Sequence, residues 1–211
     1  YKFFVDIVKV KRPRFFIAEN VRGLLSLGDG EVIKRIVRDF EDLGYRVDYR
    51  LLNAADFGVP QNRYRVFIVG TSENEKQVEF RWPSVTHSKE NRVPIGAALK
   101  GIPEPDAPNR LLNHFGSKYK VANRNFTGHR STDPDKPSPT ILARGNGKGG
   151  VCAIQHPNNQ RRMTIREQAL LQTFPIDFVF HGKMGSMYRQ VGNAVPVSLA
   201  QILGSSFFKI N

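Results

Sequence analysis

Cysteine is almost missing from this chain. Cys152 is the only one among 211 residues, which excludes a disulfide framework and a thiolate metal cluster. The five histidines, His87, His114, His129, His156 and His181, lie too far apart to give a metal-ligand spacing, so no metal is expected. No apolar run approaches the length of a membrane span, and the opening residues do not read as a signal peptide. No repeat and no low-complexity tract is present. Acid is scarce beside base. Nineteen Asp and Glu face 32 Lys and Arg, which leaves a net charge of +13 and a pI near 10.1. The basic excess is spread along the whole chain and is not a tail. A folded surface of that sign attracts polyanions, nucleic acid first.

What is present suffices for a core: 40% of the residues are hydrophobic and 15 are Phe. Residues 1–70 read as α/β. Tyr1 to Val10 is a short helix, and the apolar run at 14–18 after Pro13 is a buried strand. In "GEVIKRIVRDFEDLGY", Val32, Ile33, Ile36, Val37, Phe40 and Leu43 recur at helical spacing. "YRVDYRLLNA" and "RYRVFIVG" follow as strands. Residues 71–160 differ in character. Nine of the 13 prolines fall there, which argues against long helices and a regular parallel sheet. From 161 the chain returns to helix. Thr164 and Glu167 have capping-box spacing, and Pro196 suits a first helical turn.

Three places could carry chemistry. In "RPRFFIAENV", Glu19 ends an apolar run, and in an open α/β sheet ligands bind at the carboxyl ends of strands. A surface acid at a strand end fits the same residues. In "VPQNRYRVFIVG", strand alternation puts Gln61, Arg63 and Arg65 on one side. Two arginines on a mostly apolar strand need a carboxylate or an anion, so they form either an internal ion pair or a fork for phosphate or a base edge. In "YRQVGNAVPVSLA", Gly192 and Asn193 precede a helix start, where backbone N–H groups favour an anion. A plain N-cap by Asn193 reads equally well.

The ordered set "FFIAENV", "PQNRYRVFIVG", "RRMTIREQALLQTFP" and "YRQVGNAVPVSLAQ" resembles the C-terminal two-thirds of a DNA (cytosine-5)-methyltransferase, over nearly the whole chain. The resemblance implies a partial Rossmann-like methyltransferase sheet plus a small irregular β and loop target-recognition domain. Residues 1–75 and 161–211 would belong to the catalytic domain and 76–160 to target recognition. It further implies methyl transfer from S-adenosylmethionine to C5 of a cytosine flipped out of duplex DNA, with a cysteine thiolate adding to C6. Glu19 would hold the base N3 and exocyclic amine, and Asn20 would brace its turn. Arg65 would meet the base O2 or a flanking phosphate, and Arg63 would hold the closed loop. Asn193 and Val195 would line the cofactor pocket. Arg161, Thr164, Arg166 and Glu167 would organise the recognition domain against the catalytic one. Lys118, Lys120, Arg124, Arg130, Lys136, Arg144 and Lys148 would face DNA.

The family's Phe-x-Gly-x-Gly cofactor loop and catalytic Pro-Cys pair are absent from these 211 residues, and Cys152 follows Val151, not proline. The chain is therefore expected to be a piece, inactive alone, and a second polypeptide carrying the N-terminal half is one form that expectation takes. A prokaryotic, cytoplasmic, nucleoid-associated protein is expected. A non-catalytic DNA-binding module and an RNA-methylating relative are the alternatives.

Overall fold

The computed structural model describes residues 1–105, 107, 111–116, 131–143, 154–158 and 160–209. By its contacts the chain divides into two compact units.

The first unit comprises Tyr1–Asn53, Tyr64–Ser84 and the chain from Gln201 onward. Its sheet holds β1 (Phe15–Val21), β2 (Tyr45–Asn53) and β3 (Tyr64–Ser72) in the order β1-β3-β2. Both outer strands run antiparallel to β3, so β1 and β2 are parallel to each other, and α2 (Glu31–Glu41) lies on the connection between them. This is a βαβ crossover with a reversed strand inserted at its centre. The central strand, not β1, carries the continuous buried run: Val66 to Thr71 are all buried, as both faces of an inner strand require. In β1 only Phe16 is buried, because that strand stands at the edge of the sheet.

One face of the sheet is covered by α1 (Lys2–Lys11) and α2. Val8, Phe16, Ile33, Ile36, Phe40, Tyr45, Val66 and Ile68 form its core. The helical spacing read in the sequence is realised, with Ile33, Ile36 and Phe40 turned inward. Phe16 sits opposite Gly70 in the register, and a Cβ at Gly70 would lie 2.1 Å from its ring. The ring therefore occupies the space that a side chain on β3 would need. Since side chains alternate across a strand, Phe15 stands on the other face. There it stacks at 4.6 Å on Phe207 of β5 (Phe207–Lys209), which pairs with β4 (Val78–Phe80).

The second unit comprises Ala54–Arg63 and Val85–Ala200. It contains α3 (Ile95–Ala98), α4 (Ile165–Leu171), α5 (Met184–Asn193) and the start of α6 (Val197–Gly204). Between 85 and 160 the described residues hold one four-residue helix and two isolated β-bridges, Gln61 to Ser138 and Gln155 to Arg162. That low regularity follows from the proline density. The core joins Ile95, Leu99, Ile141 and Ile154 to Met163, Ile165, Leu171, Tyr188 and Val191. Residues 161–200 thus pack with 85–143, their apolar faces closing over that irregular region.

Candidate functional site

Glu19 and Arg65 meet on the first unit's sheet. The register pairs Val21 with Arg65 and Glu19 with Phe67. Glu19 and Arg65 are therefore diagonal neighbours on one face, the face opposite Phe16. Their ion pair is 2.7 Å long between Arg65 Nε and Glu19 Oε1, and both side chains keep part of their surface open, 14% for Arg65 and 24% for Glu19. The proximity is not a hydrogen bond: Glu19 Oε1 has no aligned donor among the described residues. One Arg65 N–H donates to the carbonyl of Tyr64 at 2.8 Å, which fixes the guanidinium. Asn20 points to the other face, and its Oδ1 accepts the Val21 N–H at 2.8 Å. Glu19 Oε1 is itself buried, so a planar group carrying N–H donors would meet the part of the side chain that stays open.

Arg63 does not share that face. The strand begins at Tyr64, so alternation does not reach back to Gln61 and Arg63, and both fold into the second unit. Arg63 is 1% exposed. Its guanidinium donates to the carbonyls of Ile141 and Gly192, each at 3.0 Å. Gln61 accepts the Ile141 N–H at 2.9 Å and donates to Gln172 Oε1 at 3.1 Å. Gln172 in turn donates to the carbonyls of Val191 at 2.8 Å and Ala194 at 3.3 Å, and its own carbonyl accepts the Val197 N–H. Thr173 Oγ1 accepts the Ser198 N–H at 2.9 Å. These bonds clamp the turn at 192–197 from several sides. Gly192 is needed there: a Cβ would lie 2.4 Å from the backbone N of Ala143.

The turn differs from the sequence expectation. Asn193 is the last residue of α5 and not a cap at the start of a helix. The next helix starts at Val197, directly after Pro196, which has no N–H to offer an anion. Asn193 is exposed and Val195 half-buried, so the amide of Asn193 is presented outward from a rigid support.

The capping box is complete. Thr164 Oγ1 accepts the Glu167 N–H at 3.1 Å and Glu167 Oε2 accepts the Thr164 N–H at 2.8 Å. Arg161 forks onto Glu167 at 2.9 and 2.7 Å and also reaches Glu104 at 2.7 Å. Burial pushes the Glu167 carboxyl up. The Arg161 hydrogen bonds and charge, the Thr164 N–H and nearby His156 outweigh it, and the carboxyl ends below its usual range. His114 Nε2 lies 2.7 Å from the Pro103 carbonyl and Nδ1 2.9 Å from Thr164 Oγ1. The carbonyl can only accept, so Nε2 carries the proton and Nδ1 takes the Thr164 hydroxyl hydrogen. Arg166 donates to three carbonyls, of Leu112, Pro175 and Phe178.

Of the basic residues expected to face DNA, Lys136 is exposed on a turn and bonds Asp133 at 2.9 Å. Lys118, Lys120, Arg124, Arg130, Arg144 and Lys148 lie outside the described residues, as does Cys152. Sequence reading missed Gln172 and Thr173, which sit in an ordinary helix-end stretch with no local signal of a role, and the stacking of Arg162 on Tyr188. Among the described residues no group of three or more potential metal ligands occurs, and no helix is long and apolar enough to cross a membrane.

The mixed α/β sheet and the Glu19–Arg65 pair define a Rossmann-like protein with a carboxylate at its sheet edge. The family model described as C-5 cytosine-specific DNA methylase matches residues 2–133 and 113–209. The chain belongs to that family. It is 36% identical to the Type II methyltransferase M.MthTI of Methanothermobacter thermautotrophicus, over 98% of this chain and 69% of the relative. It is 35% identical to M1.HphI of Haemophilus parahaemolyticus, over 100% of this chain and 61% of the relative. For M.NgoFVII of Neisseria gonorrhoeae the identity is 36%, over 93% and 59%. The chain thus spans roughly three-fifths to two-thirds of these relatives. Among solved structures, an E. coli prophage-encoded protein described as a DNA modification methyltransferase gives a TM-score of 0.69 at 20% identity, covering 96% of this chain and 71% of the other. The S. pombe Dnmt2 methyltransferase gives 0.62 at 18%, over 92% and 64%. At these identities the structural matches show the fold.

Proposed function

We propose that this chain is the base-holding and recognition portion of a DNA cytosine-5 methyltransferase, which moves a methyl group from S-adenosylmethionine to C5 of a cytosine flipped out of the duplex. The observation that carries the reading is the Glu19–Arg65 pair at the sheet edge, with a Glu19 oxygen lacking an aligned donor. Glu19 hydrogen-bonds N3 and the exocyclic amine of the flipped base, and its proton-sharing at N3 draws electron density from the ring. Arg65 holds that carboxylate in place and offers its remaining N–H to the base O2. Asn20 fixes the end of the strand through the Val21 N–H.

Arg63 acts at one remove, by fixing the turn that presents Asn193 and Val195. These two residues would hold S-adenosylmethionine, which supplies the methyl group when bound. The outward amide of Asn193 and the half-buried Val195 fit a ligand with both polar and apolar parts. In functional terms, residues 76–160 read the target, with the basic positions from Lys118 to Lys148 on the duplex. Residues 1–75 and 161–211 serve catalysis.

The test joins these 211 residues to a segment carrying the family's Phe-x-Gly-x-Gly loop and Pro-Cys pair. Tritiated methyl transfer and bisulfite sequencing of duplex DNA are then measured. Glu19→Gln keeps the shape and DNA binding and should lower methyl transfer by about 10²–10⁴-fold. Near-normal turnover by that variant would reduce Glu19 to a surface acid of the strand end.

A further inference from the structure

Four arginines of the second unit, among the described residues, are partnered unequally. Arg63 has two carbonyls, Arg166 has three, and Arg161 has two carboxylates. Arg162 is 5% exposed, and its guanidinium lies 3.9 Å over the ring of Tyr188. Among the described residues its Nε is buried and meets no acceptor. Stacking occupies the face of a guanidinium and leaves its in-plane N–H groups unpaired. Buried donors of a charged group left so are costly.

The platform is fixed. Tyr188 donates its hydroxyl hydrogen to the Met163 carbonyl at 3.0 Å and belongs to the unit's core. Arg162 itself is held opposite Gln155, whose carbonyl accepts the Thr132 hydroxyl at 3.0 Å. The nearest acid in sequence, Glu167, is already committed to Arg161 and the Thr164 N–H. A stacked cation whose Nε meets no acceptor among the described residues, in a chain of net charge +13, suits an anion from outside. The in-plane fork of a guanidinium matches two oxygens of a phosphate.

We propose that Arg162, stacked on Tyr188, holds a backbone phosphate of the bound duplex. The inference rests on the DNA-methyltransferase reading but concerns a residue that reading assigns no role. Contact with a phosphate is independent of sequence, so any short mixed-sequence duplex is a valid probe. The measurement is fluorescence anisotropy of the full chain with a labelled duplex over a salt series. Arg162→Gln should flatten the slope of log affinity against log salt by about 0.9. The affinity lost between roughly 50 and 200 mM salt should then be about 3.5-fold smaller than in the unaltered chain.

Arg162→Lys keeps the charge but loses the fork. It should retain the slope while binding more weakly, and it stands as the test if the glutamine variant does not fold. Unchanged slope and affinity in the folded variants would make Arg162 a packing residue and overturn the proposal. Thermal stabilisation by inorganic phosphate that needs Arg162, with DNA binding unaltered, would assign the site to a free anion instead and overturn it too. Failure of the unaltered chain to bind duplex DNA at low salt would remove both this proposal and the reading beneath it.

Discussion

Glu167 shows how one buried carboxylate can make a whole region sensitive to pH. It is 1% exposed, and both oxygens are taken by Arg161 and the Thr164 N–H. Its folded-state pKa is below the usual value. A group of this kind contributes stability that is fully present above its unfolded pKa, about 4.3 for Glu. The contribution is lost as pH falls toward the depressed folded value. Stability measured by urea denaturation should therefore decline from about pH 5 downward, and Glu167→Gln should flatten that decline. At pH 7 the same variant should lose about 3 kcal/mol, because Arg161 then keeps only the exposed Glu104 as a charged partner. A decline of equal depth in both proteins would place the acid sensitivity elsewhere. Arg63 offers a second residue-scale test without titration. Arg63→Met strands the carbonyls of Ile141 and Gly192, and a buried acceptor left unpaired costs about 1–3 kcal/mol. A fall of that size in unfolding free energy is expected, and a neutral result would mean that water replaces the guanidinium.

Two glycines show what holds the elements in register, and they should respond differently to alanine. At Gly70 the obstacle is the ring of Phe16, a side chain that can be trimmed. Gly70→Ala should cost about 1–3 kcal/mol by overpacking, and combining it with Phe16→Leu should recover at least about 1 kcal/mol of coupling in a double-mutant cycle. At Gly192 the obstacle is the backbone at Leu142–Ala143. Gly192→Ala should be more damaging, with no single side-chain rescue, and equal costs at the two sites would refute the distinction. The elements themselves were largely legible in the sequence. Periodicity marked α2, and Thr164 with Glu167 marked the start of α4, because both signals are local. α5 carried no such signal: its segment contains Gly185 and Gly192, and its inward residues, Met187, Tyr188 and Val191, are few. The candidate site divided the same way. The Glu19–Arg65 pair follows from two strands and their alternation, so the residues were visible though their pairing was one of two readings. The partners of Arg63 are carbonyls 78 and 129 positions away, and no pattern within a short window encodes them.

The whole molecule is a strongly basic body that belongs to an enzyme family yet contains no proline-preceded cysteine. Its 32 basic residues against 19 acidic ones should attract a duplex whatever its sequence. Three of the basic side chains are committed inside the fold and are not free to meet a phosphate: Arg63, Arg161 and Arg166 are all bonded internally. The remaining surface cations set the number of phosphates neutralised, and each releases counterions on binding. Binding of the 211 residues to duplex DNA should thus weaken steeply with salt, and the slope divided by about 0.9 counts the phosphates met. Methyl transfer is a separate matter. In the proposed function Glu19 and Arg65 hold the base, but the adduct to C6 that the family resemblance implies needs a thiolate, and Cys152 follows Val151 rather than proline. Incubation of the purified chain with tritiated S-adenosylmethionine and duplex DNA, at salt low enough for binding, should leave the DNA at background counts. Binding without transfer separates the recognition function from the chemistry. Incorporation above background that disappears in Cys152→Ser would show that Cys152 is the nucleophile after all. Incorporation that survives the substitution would remove thiolate addition from the mechanism.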